Sequence, residues 1–207
     1  MRISLLILAF LLLIAVTNNQ ASVSMNPETV TAISPAQKES LLKEQVKEKD
    51  RIERQQQLPA ITSIFARHTS RERANRLAYL CYETTLDTPF KPIDLAELAL
   101  AETGGHSLSS HAVSSEGALG VWQLMPKRAK SHGYTPAEMK KDEKCAAAAV
   151  KELKAKLAMA DGNLRKAKRL YCGTGPQARH YEQKTQKFRR AIMAKMAITS
   201  SAKEMKS

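Results

Sequence analysis

The amino-acid sequence predicts a mostly α-helical protein. Alanine, leucine, lysine and glutamate, which favour helices, are abundant, whereas the aromatic residues common in strands make up only 5% of the chain. No segment shows the convincing two-residue alternation of a half-buried strand. The 207 residues are enough for one domain of ordinary size with extensions.

The first segment, residues 1–24, has the layout of a secretory signal peptide. A short positive start precedes an apolar run over residues 3–16, and residues 22–24 offer a small-x-small cleavage site. The run is shorter than the roughly 20 apolar residues that a membrane span needs. We therefore expect a periplasmic or otherwise exported protein, and an uncleaved inner-membrane anchor is the lesser alternative.

The formal net charge of +13 predicts an anionic partner. An exported chain rarely meets nucleic acid, so we do not expect nucleic acid as the partner. The anionic cell wall fits better, and a weak contact with a membrane surface is the further possibility. Three cysteines, Cys81, Cys145 and Cys172, would allow one disulfide outside the cytoplasm, and their pairing stays open. Their spacing does not suit zinc and no HExxH motif is present, so we expect neither metal nor cofactor.

A polar and highly charged segment, residues 25–60, precedes the expected domain. Ser34 and Pro35 predict a helix start. The apolar positions beyond them are too sparse to bury much surface or to sustain coiled-coil heptads; they are Leu41, Leu42, Val46 and Ile52. We expect a mobile spacer helix or a disordered linker.

The compact domain is expected over residues 61–188. Its first helix is predicted near residues 71–84, and a second begins with Asp94 as its N-cap and ends at Gly104 and Gly105. A short apolar helix is predicted in GVWQLMPKRA, residues 120–129. A long helix over residues 145–159 and another ending at RLYCGTGP follow.

The remaining segment, residues 189–207, is expected to be a basic tail. Phe188, Ile192 and Met196 recur every four residues and define an amphipathic helix. We expect this face to pack on the domain rather than on a membrane.

The stretch LALAETGGHS places one carboxylate, Glu102, at the end of an apolar run. A glutamate at a helix end is usually exposed to solvent. Cleavage of a glycosidic bond, however, needs an acid that stays protonated near neutral pH, and desolvation by apolar neighbours raises a carboxyl pKa. Leu98, Ala99, Val121 and Trp122 are candidates for such apolar walls.

The stretch AETGGHSLSSHAVSSEGALGVWQLMP resembles the signature of the lytic transglycosylase family, which has a goose-type lysozyme-like fold. In that family an apolar helix ends in Glu-Ser and a Ser-x-x-Gly-Ala-x-Gly-hydrophobic-x-Gln-hydrophobic-x-Pro stretch follows. Glu102 matches the glutamate; the second part is matched by Ser114, Gly117, Ala118, Gly120, Gln123, Met125 and Pro126. Further on, AAAAVKELKAKL resembles the family's alanine-rich helix. RLYCGTG resembles its Tyr-Asn-x-Gly element, and Tyr181 resembles a later tyrosine.

The resemblance implies a peptidoglycan lytic transglycosylase that cuts the MurNAc-GlcNAc β-1,4 bond. One glutamate, Glu102, would act first as acid and then as base, and the C6 hydroxyl of the sugar would attack to give a 1,6-anhydro product. Most glycosidases use two carboxylates, but no second one is evident here. The substrate-binding candidates are Thr103, Ser114, Gln123, Met125 and Tyr171.

Departures from the family pattern leave two alternatives. Thr103 replaces a serine, the loop after Glu102 is longer than in many members, and Cys172 replaces an asparagine. The alternatives are a lysozyme-type hydrolase and a non-catalytic wall-binding or scaffold protein. The expected partner is the glycan strand, and the small size resembles enzymes that open the wall for secretion or conjugation machinery.

Overall fold

The computed structural model describes residues 34–204, and the described part is helical without strands. The predicted signal peptide at residues 1–24 lies outside these residues. The helices are α1 (Pro35–Gln55), α2 (Leu58–Phe65), α3 (Arg71–Thr85), α4 (Pro92–Thr103), α5 (Pro126–Ser131), α6 (Asp142–Met159), α7 (Leu164–Cys172) and α8 (Pro176–Glu204). Two short 3-10 helices cover Gly104–His106 and Pro136–Lys140. The prediction of a mostly α-helical chain is confirmed.

The chain divides into two units, residues 1–40 and 41–207. Only residues 34–40 of the first unit are described, and they form the start of α1. The Ser34 hydroxyl accepts a hydrogen bond from the Gln37 amide at 3.2 Å, and the Gln37 side chain accepts one from the Ser34 amide at 2.9 Å. This reciprocal cap confirms the predicted helix start.

In the second unit, the rest of α1 buries little apolar surface. Leu41, Leu42, Val46 and Ile52 are all exposed, as their sparse spacing predicts. The end of the helix is fixed, however, because the buried Arg54 donates hydrogen bonds to backbone carbonyls at the end of α3 and in the α3–α4 loop. The described part of this segment therefore contains a helix, Pro35–Gln55, whose C-terminal end is anchored.

The core is arranged around α4. Every residue of this helix except Glu102 is buried, and α2, α3, α6 and α8 all pack against it. Pro92 occupies the first helical position. Asp94 accepts a hydrogen bond from the Lys91 amide at 2.7 Å, so it caps the helix from the third position and is not the N-cap that the sequence predicts.

The prediction of a helix over residues 120–129 is wrong for its first half. Gly120 and Gln123 both have a positive φ, at 74° and 50°, which interrupts a right-handed helix. Leu124 forms an isolated bridge with Leu119 instead. Helix α5 begins only at Pro126, whose ring suits a first helical position.

The C-terminal segment continues α8 without a break at residue 189. Ile192 is fully buried, and Phe188 and Met196 pack against the core, which confirms that this face is covered by the domain. No helix within residues 34–204 is long and apolar enough to cross a membrane. All three cysteines are free, so the structure contains none of the disulfides that the sequence allows.

Candidate active site

Glu102 lies where the buried helix α4 reaches the surface. The next residue, Thr103, is fully buried, and its hydroxyl donates hydrogen bonds to the carbonyls of Val121, at 2.8 Å, and Ala99, at 3.2 Å. Thr103 therefore fixes the end of α4 to the following loop. Its burial does not support the substrate contact that we predicted for it.

The environment of Glu102 favours a protonated carboxyl group. Burial raises the pKa of Glu102 to about 7, against the opposing effects of the Tyr181 hydroxyl and the Lys184 charge. A carboxyl group with this pKa is about half protonated at neutral pH, as a general acid requires. The sequence predicts this desolvation from the apolar residues around Glu102.

Tyr181, on α8, faces Glu102. Its ring is buried, and its hydroxyl is the only buried side-chain oxygen or nitrogen among the described residues without a hydrogen bond of regular geometry. Burial and the Glu102 charge both raise the pKa of Tyr181 well above its usual value. A buried hydroxyl with spare hydrogen-bonding capacity thus stands beside the carboxyl group.

Lys184 brings a positive charge to the same place from one turn further along α8. Its ammonium group donates a hydrogen bond to the carbonyl of Ala101, the residue before Glu102. The charge lowers the pKa of Glu102, because it stabilises the carboxylate form. Neither Lys184 nor Tyr181 is among the site residues selected from the sequence, although the resemblance includes a later tyrosine.

Tyr171 and Cys172, at the end of α7, complete this side of the site. The Tyr171 hydroxyl donates to the Trp122 carbonyl at 2.9 Å, which fixes the phenol to the loop after Glu102. Burial, and after it the Glu102 charge, raises the pKa of Tyr171. Cys172 is exposed, and partial desolvation together with the Glu102 charge raises its thiol pKa. Both residues are therefore near the carboxyl group.

The loop after Glu102 is closed by Ser114. Its amide donates to the Ala118 carbonyl at 3.0 Å, its carbonyl accepts from the Gly117 amide at 2.9 Å, and its hydroxyl accepts from the Ala118 amide at 3.0 Å. The side chain is half-buried. Ser114 thus shapes a tight turn, and its predicted contact with substrate stays a prediction.

Gln123 and Met125 lie on the opposite arm of this loop. The Gln123 amide group donates to the carbonyls of Gly120, at 2.7 Å, and Ala112, at 3.3 Å, while its backbone has a left-handed φ of 50°. A non-glycine residue in this region is held there by its surroundings. Met125 is 41% exposed, as a residue lining an open cleft would be. Both remain predicted substrate contacts.

Two buried features hold the loop against the core. Trp122 is fully buried and its indole donates to the Leu95 carbonyl at 2.9 Å, so it serves packing. A Cβ atom at Gly120 would lie 2.1 Å from the Met139 carbonyl oxygen and 2.8 Å from the Cys145 sulfur. Only glycine allows this close approach together with the positive φ.

A group of four charges, three of them buried and the fourth, Arg189, half-buried, joins the three helices that carry the site. Lys168 of α7 and Arg189 of α8 each pair with both Asp94 and Glu97 of α4. Burial raises the pKa of Glu97, against the opposing effect of the two cations. This carboxylate is therefore committed to ion pairs and does not face the Glu102 site.

Residues 92–193 match the family model described as the Transglycosylase SLT domain. The chain contains a transglycosylase SLT domain. The match covers about half of the 207 residues and supports lytic transglycosylase activity on peptidoglycan in general. No curated protein and no solved structure matches the chain significantly.

The SLT domain contains each group that surrounds the candidate acid. It begins with α4, which carries Glu102, and ends within α8, beyond Tyr181 and Lys184. Helices α2 and α3 precede the matched segment but supply part of the same core. The resemblance found in the sequence is thus confirmed at the level of the family.

Proposed function

We propose that this protein is an exported peptidoglycan lytic transglycosylase in which Glu102 is the catalytic acid and base. It cleaves the β-1,4 bond between MurNAc and GlcNAc and leaves a 1,6-anhydro-muramic end. The raised pKa of the partly buried Glu102 carboxyl group, about 7, is the observation that carries this assignment.

The proposed reaction has two proton transfers through the same carboxyl group. Glu102 first gives its proton to the glycosidic oxygen as the bond to C1 breaks. The resulting carboxylate then accepts the proton of the C6 hydroxyl, whose oxygen bonds to C1. The enzyme returns to its protonated state without consuming water, and Lys184 stabilises the carboxylate between the two steps.

The surroundings of Glu102 support a reaction with one carboxyl group. The groups that shift its pKa are Tyr181 and Lys184, with no other carboxylate among them. The nearest acidic residue on α4, Glu97, is held by Lys168 and Arg189. A retaining glycosidase with a separate nucleophile would place a second carboxyl group about 5 Å away.

Digestion of purified cell-wall sacculi tests the proposal. The wild type should release anhydro-muropeptides, each lighter by one water than the corresponding hydrolysis product. Glu102→Gln keeps the shape of the side chain but cannot give a proton, so it should release none. Glu116→Gln is the matched control, because Glu116 is exposed and lies at a position that the family motif leaves free.

The same digestion separates the alternatives. Products with ordinary reducing ends would assign the protein as a lysozyme-type hydrolase. If both the wild type and Glu102→Gln bind sacculi and neither releases product, the protein is a wall-binding protein. The cysteine at position 172, where the family has asparagine, favours this alternative. We further propose that the enzyme opens the wall locally for secretion or conjugation machinery, which co-purification with envelope complexes would test.

A further inference from the structure

A cavity of about 650 Å³ lies at the connection between α7 and α8. Its lining includes Leu170, Ala178 and residues 173–176. Two arginines, Arg169 from α7 and Arg179 from α8, line it. The proposed reaction uses neither arginine.

Residues that line this cavity neighbour, along the chain, residues of the Glu102 site. Ala178 lines the cavity and lies three residues before Tyr181, so the two side chains occupy neighbouring positions on one face of α8. On the other side, Gly173 follows Cys172, whose thiol pKa the Glu102 charge raises. A substrate bound at Glu102 can therefore extend a substituent into the cavity.

The cavity is electropositive. None of its lining residues is acidic. The Arg169 guanidinium lies 3.7 Å from a Glu182 oxygen, but Arg165 also approaches this carboxylate, at 3.1 Å. Arg179 is exposed and has no carboxylate partner within residues 34–204. At least one guanidinium thus retains its full capacity to bind an anion.

We propose that this cavity binds a carboxylate of the peptide substituent on the muramic sugar whose glycosidic bond lies at Glu102. The inference rests on the proposed function, since it names the part of the same substrate that the cavity recognises. Guanidinium groups bind carboxylates through paired N–H···O hydrogen bonds, which give orientation as well as affinity. The protein would then act on peptide-bearing strands in preference to bare glycan.

The test compares sacculi with glycan strands from which an amidase has removed the peptides. The wild type should have a kcat/KM at least about tenfold higher on peptide-bearing strands, the effect of one charge-assisted contact. Arg169→Met/Arg179→Met should lose this preference while it keeps its activity on bare strands. Arg165→Met/Arg190→Met is the matched control, because it removes one arginine from each of the same helices outside the cavity.

A direct binding measurement makes the inference independent of activity. Glu102→Gln should bind a soluble muramoyl peptide about tenfold more tightly than its fully amidated counterpart, by calorimetry. The additional Arg169→Met/Arg179→Met change should abolish this difference. Equal binding of the two peptides, or binding of inorganic phosphate as tight as that of the peptide, would overturn the assignment.

Failure of this inference and failure of the proposed function give different results. A wild type that releases anhydro products equally from both substrates contradicts only the peptide site. A wild type that releases nothing contradicts the proposed activity, and the calorimetry still tests the cavity.

Discussion

The buried Tyr181 hydroxyl faces the Glu102 carboxyl group without a hydrogen bond of regular geometry. A hydroxyl without a hydrogen bond of regular geometry contributes little to stability, because its removal leaves no new unpaired group behind. Its position instead suits a donor that engages Glu102 or the substrate when the cleft is occupied.

Replacement of Tyr181 by phenylalanine should therefore lower activity without unfolding the protein. We expect kcat on sacculi to fall by about tenfold to a hundredfold, the usual contribution of a positioned donor. The urea midpoint should stay close to that of the wild type. A variant that loses stability and activity together would mean that the hydroxyl is structural.

The charge of Lys184 should set the alkaline limit of activity. The acid must be protonated, so kcat/KM should fall as the pH rises through about 7, the pKa of Glu102. In Lys184→Met this limb should move to higher pH, because the charge that favours the carboxylate is gone. Lys187→Met, an exposed lysine on the same helix, is the control and should leave the limb in place.

The raised pKa of Glu102 also predicts how stability depends on pH. Between pH 4.5 and about 7 the unfolded chain loses the Glu102 proton while the folded protein keeps it, so stability falls as the pH rises. The wild type should lose about 3 kcal/mol over this interval through this group. Glu102→Gln should lack this component, and urea unfolding of both proteins at pH 4 and pH 8.5 measures the difference. Parallel stability profiles would contradict the raised pKa.

The four-charge group should be important for stability. Lys168→Met leaves Asp94 and Glu97 buried with only Arg189 as partner, which should destabilise the protein by about 3–5 kcal/mol. Lys166→Met removes an exposed lysine from the same helix and should change stability by less than about 0.5 kcal/mol. Thermal unfolding of the two variants checks this difference, and equal melting temperatures would show that the network is dispensable.

Much of the site could be anticipated from local sequence patterns. The helix that ends at Gly104 follows from its apolar residues and terminal glycines, and the spacing of Ser114, Gly120 and Gln123 carries the family resemblance. The turn that replaces the predicted helix at residues 120–124 could not be anticipated, because helical periodicity does not reveal a left-handed backbone at Gln123.

Other residues depended on contacts between distant parts of the chain. Tyr171 and Tyr181 are the same residue type, so the sequence does not distinguish their roles. In the structure the Tyr171 hydroxyl donates to the Trp122 carbonyl, whereas the Tyr181 hydroxyl faces Glu102. The sequence does not reveal that the Thr103 hydroxyl donates to the Val121 carbonyl. Such differences arise from the packing of α7 and α8 on α4.

The sequence by itself determined the helical class, the position of Glu102 at the end of an apolar helix and the family of the chain, because these depend on residue type and short-range spacing. Only the tertiary structure decided which groups surround that carboxyl group. Tyr181 and Lys184 are about 80 residues away along the chain, and their effect on the Glu102 pKa exists only once α8 has packed beside α4. Desolvation and charge act through space, so the fold must form before they apply.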